Sequence, residues 1–340
     1  MQGTNNLTLT ICIPTWNRGP VALRQVLRTL PLIDPDWEIL VLDNDSNLFQ
    51  DEYKEIEKMS YGESSVRYIK NERDLGFAGN FLSCFSQARS PYIQIISDED
   101  FSHPPTVRDA LTVFKEYPAL GALRGSIGGF LGESPRNMLN YPNSFLRAGD
   151  DALCDFSLAT NYLSGMIYNR SLLSNLGLPD RVKSALVDNI ACITYPHLYL
   201  DILVASACDV ATVAEVVCFE GPEMRGSETL KQLAQSSAYS FSARLDQFVG
   251  FRDLFREICG GKKLGLLIFL YMRLVRKYYH MFHCDISLHQ TRGLNIIALH
   301  ESLTAFFWSA TNIPEFVNYA DVIRDEFDKA VLVSKRALNI

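Results

Sequence analysis

The chain has 340 residues, more than the roughly 250–300 at which a single hydrophobic core usually stops growing, so a main domain with an appended one is expected. With 47% hydrophobic and 21% charged residues it is too apolar for disorder. A net charge of −7 excludes broad contact with nucleic-acid phosphates, and a small anionic ligand would need a local cation, either a metal or a few arginines.

Residues 7–13 are β-rich and stop at Pro14, and Val21, Leu23, Val26, Leu27 and Leu30 recur at helical spacing. The alternation continues with a strand at 37–42, a polar helix near 50–59, a strand at 65–69 and a helix near 77–88 carrying Phe77, Phe81, Leu82 and Phe85. A strand at 91–96 leads through an acidic turn into a helix at 105–116. Strands of this kind, apolar on both faces and alternating with helices, predict an α/β fold with a mainly parallel, Rossmann-like sheet flanked by helices. Residues 130–155 lack a clear period and read as a loop region, a candidate acceptor surface. A strand at 162–168, a short helix closed by Gly177, a long buried helix at 186–206 and a strand at 210–219 follow, and from about 229 the chain reads as helical. The expected domains are 1–228, with halves at 7–130 and 131–228, and a helical region at 229–340.

Ligands of open α/β sheets bind beyond the carboxyl ends of the strands, which makes the residues after each strand informative. The first strand runs into Pro14-Thr15-Trp16-Asn17-Arg18, without the glycines of a dinucleotide turn or a P-loop. The second runs into Asp43-Asn44-Asp45-Ser46-Asn47. Leu48 at the sixth position and Lys54 at the twelfth exclude a calcium loop. The third gives way to a polar segment from Asn71 to Asn80 that includes Asp74 and Gly76. The fourth ends in Ser97-Asp98-Glu99-Asp100, and three successive carboxylates at a strand end call for a shared cation. Any one of these could be a plain solvated turn. Their occurrence at four consecutive strand ends places them around one crevice.

With these motifs in order, the chain resembles the family 2 glycosyltransferases, inverting enzymes of the GT-A-type nucleotide-binding fold. Ile-Pro-Thr-Trp-Asn-Arg resembles the family's opening motif, Asp43-Asn44 its acidic pair, Asn71 to Asn80 its Asn-x-x-x-x-Gly-x-x-x-Asn segment and Asp98-Glu99-Asp100 its Asp-x-Asp metal motif. Leu163-Ser164-Gly165-Met166-Ile167-Tyr168 looks like the small-residue strand bordering the acceptor. The resemblance implies a nucleotide-sugar donor contacted by Pro14, Thr15, Asn17, Arg18, Asp43, Asn44, Asn71, Asp74, Gly76, Asn80, Asp98 and Glu99, with Mn²⁺ or Mg²⁺ on Asp98 and Asp100. It also implies a glycan or lipid-linked saccharide acceptor and a place in surface polysaccharide assembly, O-antigen or capsule.

The family's usual acidic base is not evident. His197, behind Pro196 at a helix start, is one candidate, and Asp188 and Asp201 are the others. The loop 220–228 has glycines near both ends and is expected to close over the donor, bringing Arg225 to the diphosphate. A sugar nucleotidyltransferase would need a glycine-rich segment with Arg and Lys after the first strand. A non-catalytic nucleotide- or sugar-binding protein is the alternative from another class.

Residues 264–282 are apolar but interrupted by Arg273, Arg276 and Lys277, which does not describe a membrane span. Such a helix suits either peripheral contact with a membrane or packing against the catalytic domain or a second subunit in a homodimer. His280, His283, Cys284 and His289 have helical spacing, but without a CxxC pair no zinc is expected. The eight scattered cysteines read as reduced thiols, and no secretory signal opens the chain, so a cytoplasmic location is expected.

Overall fold

A computed structural model describes residues 7–131, 134–221 and 241–290 and a few positions between 321 and 329. The chain divides into two compact units, one formed by residues 1–185 and 196–224 and the other by 186–195 and 225–340.

The first unit opens with β1 (Leu9–Thr15), α1 (Gly19–Thr29), β2 (Trp37–Asp43), α2 (Gln50–Gly62), β3 (Val66–Lys70), α3 (Gly76–Gln87) and β4 (Tyr92–Ile95). It continues with β5 (Phe101–Ser102), α4 (Pro104–Glu116), β6 (Leu120–Leu131), β7 (Ser134–Leu139), β8 (Ser144–Leu146), α5 (Asp150–Asp155), β9 (Met166–Asn169), α6 (Arg170–Asn175) and α7 (Leu178–Ala185). In the second unit lies α8 (Ile190–Thr194); α9 (Pro196–Ala207) and β10 (Asp209–Phe219) return to the first. The sheet order is β3-β2-β1-β4-β9-β6-β10-β5, with β7 on β6 and β8 on β10. Strands β3, β2, β1 and β4 are parallel, and β9 runs antiparallel to both β4 and β6.

All seven residues of β2 are buried, as are six of the seven in β1, which accounts for their continuous apolar sequence. Pro14 is accommodated in β1 because β4 pairs no further than Cys12 opposite Ile95. Thr15 O, which accepts Asn44 N–H, faces β2, so the missing Pro14 N–H faces the side that β4 has already left. Beyond that pair the ends of β1 and β4 are joined by side chains, Thr15 Oγ1 donating to Asp98.

Three sequence expectations change. The long helix over 186–206 is two helices, because Pro196 disfavours helical backbone at Tyr195, which adopts φ −132°. Residues 130–155, expected as loop, contain β7, β8 and α5, and the long strand β6 went unread. Here Gly121, Gly125 and Gly128 weaken the β signal, and the last two allow β10 to approach: a Cβ on Gly125 would lie 2.3 Å from Val217. The helix closed by Gly177 is α6, with Gly177 at φ +66° just past its end.

In the second unit, α10 (Phe241–Cys259) and α11 (Leu264–Gln290) bury Phe248 edge-on to Tyr271 and Tyr278. Arg244 donates to the Tyr195 hydroxyl and to Gln247. Among the described residues no helix is long and apolar enough to cross a membrane.

Candidate active site

The parallel register sets Thr15 opposite Asp43 and Asp43 opposite Lys70, so β1, β2 and β3 end on one line. The β1–α1 turn is fixed before any ligand arrives. Asn17 takes a left-handed backbone (φ 56°), tolerable for Asn, and its side-chain oxygen accepts the N–H groups of Asn47 and Leu48, each at 2.9 Å. Gly19 is required beside it, because a Cβ there would sit 2.8 Å from the Phe49 carbonyl oxygen.

From this turn a hydrogen-bonded relay reaches the acidic turn. Arg18 N–H donates to the Tyr53 hydroxyl (3.0 Å), which lies 3.0 Å from Thr15 Oγ1, and Thr15 Oγ1 donates to Asp98 Oδ2 at 2.8 Å. The Arg18 guanidinium spans two carboxylates, with Nη1 on Asp98 Oδ1 at 2.8 Å and Nη2 on Glu99 Oε2. Asp98, Glu99 and Asp100 are all buried.

Asp43 is wholly buried: Oδ1 accepts Ser46 N–H at 2.8 Å and Oδ2 accepts the Tyr68 hydroxyl at 2.6 Å. Burial, then the hydrogen bond to Asp43 and its charge, push the Tyr68 phenol far above its usual range, so it remains a donor. Asn44, Asn71, Asp74, Gly76 and Asn80 bind one another. Asn44 Nδ2 donates to Asp74 Oδ1 (2.5 Å), Asn44 Oδ1 accepts from Leu75 N and Asn71 Nδ2, and Asn71 also donates to Asn80. Asn80 Nδ2 reaches Leu42 O, and Gly76 N donates to Asp74. In this arrangement they buttress the ends of β2 and β3.

Asp100 faces away from Arg18. Its Oδ1 accepts the Tyr162 hydroxyl (2.9 Å) and Gly221 N–H (3.0 Å), and its Oδ2 accepts the Ser164 hydroxyl (2.6 Å). Ser164 in turn accepts Ser97 N–H, which ties the β4 end to the strand expected to border an acceptor. Gly165, at φ +93°, lets that segment turn against Gly125 and Ile127. Burial pushes the Asp100 carboxyl up to about 7, opposed by the Ser164 and Gly221 hydrogen bonds, raised further by Glu99 and opposed by Tyr162.

Asp98 and Glu99 fit a divalent cation: they are hard oxygen donors already turned toward a positive charge, and Mg²⁺-like ions are commonly held by one or two carboxylates plus phosphate oxygens. Asp100 fits less directly, because three protein donors occupy its two oxygens. Among the described residues no group of three or more His, Cys, Asp or Glu side chains is arranged to hold a metal.

The three base candidates separate. Asp201 does not suit the role: Arg124 Nη2 donates to its Oδ2 and the Tyr168 hydroxyl to its Oδ1, both at 2.8 Å, deep between α9, β6 and β9. His197 is 3% exposed, its Nε2 lies 2.9 Å from the Asn161 carbonyl and its ring meets Phe77 and Phe81 edge-on. A carbonyl only accepts, so Nε2 carries the proton and Nδ1 is the basic nitrogen. Asp188 is exposed and belongs to the second unit. Arg225 lies outside the described residues, and so do the side chains of His280, His283, Cys284 and His289. Sequence reasoning gave no role to Tyr53, Tyr68, Ser46 and Tyr162, and took Ser164 only as part of the strand bordering the acceptor. Only Ser46, three residues past Asp43 in a turn, carried a local signal.

Residues 10–177 match the family model described as glycosyl transferase family 2. Through these residues the chain belongs to glycosyltransferase family 2. Over 96 residues it is 26% identical to WcaA of Escherichia coli strain K12, named as a colanic acid biosynthesis glycosyl transferase; the match covers 28% of this chain and 34% of that protein's length. Among solved structures, S. aureus TarS residues 1–349 is 14% identical with a TM-score of 0.58, over 98% of this chain and 92% of that one. The same protein in complex with UDP-GlcNAc superposes with a TM-score of 0.59 at 12% identity and the same coverage. At such identities the likeness concerns the fold, which is of the GT-A type.

Proposed function

We propose that this glycosyltransferase moves a sugar from a nucleotide-sugar donor to a hydroxyl of a glycan or lipid-linked saccharide, with inversion, in surface polysaccharide assembly. The observation that carries this is the convergence of Thr15, Arg18, Asp43, Asp98 and Glu99 at the carboxyl ends of β1, β2 and β4 in a family 2 fold. TarS, of similar fold, has been solved with UDP and with UDP-GlcNAc, and WcaA is named for colanic acid biosynthesis; both support the donor class and the setting.

In this reading Asp43, oriented by Ser46 and Tyr68, keeps its remaining lone pairs for a base N–H. Thr15 and Arg18 flank the diphosphate, and Asp98 faces the ribose or donor sugar. Mn²⁺ or Mg²⁺, held at Asp98 with Asp100 or Glu99 beside it, supplies electrostatic stabilisation of the charge developing on the leaving nucleoside diphosphate. The acceptor hydroxyl attacks the anomeric carbon from the opposite face, and a base takes its proton. His197, in the same unit as the donor residues, is carried forward for that role. A pH–rate profile tests the role, since dependence on His197 gives an inflection that His197→Ala abolishes.

The β1–α1 turn has no glycine-rich Arg/Lys segment, which disfavours a sugar nucleotidyltransferase. The test is a thermal-shift panel of UDP, GDP, CDP and dTDP with and without Mn²⁺, on wild type and Asp98→Ala. Stabilisation by one nucleotide, dependent on Mn²⁺ and lost in the variant, is expected. Indifference to every nucleotide would favour a non-catalytic binding protein.

A further inference from the structure

Arg18 stands where the proposed donor site needs a cation. Its fork closes on Asp98 and Glu99, whose side chains are 5% and 6% exposed, while the Arg18 side chain is 32% exposed. The charge therefore covers the acidic turn from the solvent side. Its base is anchored: Arg18 N–H is held by Tyr53, Asn17 by the 47–48 backbone, and Gly19 is pressed against Phe49. The same Tyr53 hydroxyl meets the Thr15 hydroxyl that binds the other oxygen of Asp98, so this carboxylate is engaged on both oxygens from β1 and the turn after it.

A guanidinium keeps its charge across the working pH range and cannot be neutralised to make way for a metal. A divalent ion arriving alone must displace Arg18 from two carboxylates and offers its fork no anion in exchange. An ion arriving with a diphosphate brings the replacement partner, because phosphate oxygens accept the same bidentate fork.

We propose that Arg18 is an internal counter-cation that keeps the Asp98–Glu99 turn closed to divalent metal until a nucleoside diphosphate accepts its guanidinium, so that metal uptake depends on the donor. This rests on the donor-site reading above. The coupling is reciprocal: metal and nucleotide strengthen each other's binding through one side chain.

The experiment is a titration of the full-length protein with Mn²⁺ alone, following the free-ion signal by electron paramagnetic resonance, for wild type, Arg18→Ala, Arg18→Gln and Arg18→Lys. Wild type is expected to take up Mn²⁺ only when UDP, or whichever nucleotide stabilises it, is present. Arg18→Ala and Arg18→Gln are expected to bind Mn²⁺ alone about tenfold or more tightly than wild type, with Arg18→Lys between. The Gln variant keeps the aliphatic stem should the Ala variant fold poorly. Two outcomes overturn the inference while leaving the donor site standing: wild type binding Mn²⁺ as tightly without nucleotide as with it, or neither neutral variant binding it more tightly. If no nucleotide binds with Mn²⁺ at all, the donor reading fails and this inference with it.

Discussion

Arg124 Nη2 and Asp201 Oδ2 lie 2.8 Å apart, both side chains 2% exposed, and form an ion pair that joins β6 to α9 in the interior of the first unit. The remaining guanidinium nitrogens are used as well, Nη1 on the Phe156 carbonyl and Nε against Met166 Sδ, with the Phe156 ring under the guanidinium carbon at 4.1 Å. Removing one partner from such a pair strands a buried charge. Asp201→Ala is expected to destabilise the fold by about 3–5 kcal/mol in chemical denaturation, whereas replacing both residues by apolar ones of similar size is far milder. Turnover per folded molecule should survive in Asp201→Ala; its complete loss in well-folded protein would return Asp201 to the list of bases.

Tyr68→Phe removes the hydroxyl that Asp43 Oδ2 accepts. Because Asp43 is wholly buried, the abandoned oxygen loses a charge-assisted bond with no water to replace it, and a stability loss of about 1–3 kcal/mol is expected from urea midpoints. An unchanged midpoint would show that Asp43 finds another donor.

Asp100 sets a pH dependence whose sign follows from its environment. Its folded carboxyl is raised to about 7 from 3.8, mainly by burial, so between these values the native state holds a proton that the unfolded chain has released. Its contribution to stability is therefore greatest at low pH and declines as pH rises from about 4 to about 7. In chelator-treated protein, wild type should lose stability relative to Asp100→Asn across that window, by of order 4 kcal/mol at most. Parallel curves for the two proteins would mean that the Tyr162, Ser164 and Gly221 hydrogen bonds outweigh burial.

The strand–helix alternation through residue 116, the acidic turn at 97–100 and the order of the four motifs were all legible along the chain. Burial on both faces and helical spacing are local properties, whereas Pro14, expected to stop the first strand, lies within it. Strand β6 was not legible, because its glycines serve a partner, β10, some ninety residues away. Nor could the chain show that Asn71, Asp74 and Asn80 spend their side chains on one another and on Asn44. The motif spacing was the same for a ligand contact as for a buttress.

The sequence by itself determined which residues meet at the carboxyl ends of the strands, since parallel pairing of apolar strands leaves their polar ends on one side. Tertiary structure alone decided what each does there. Hydrogen-bond partners and burial depend on side chains from distant segments, and these turn Asp98 toward Arg18, Asp100 toward Tyr162 and Ser164, and Asp201 into the core.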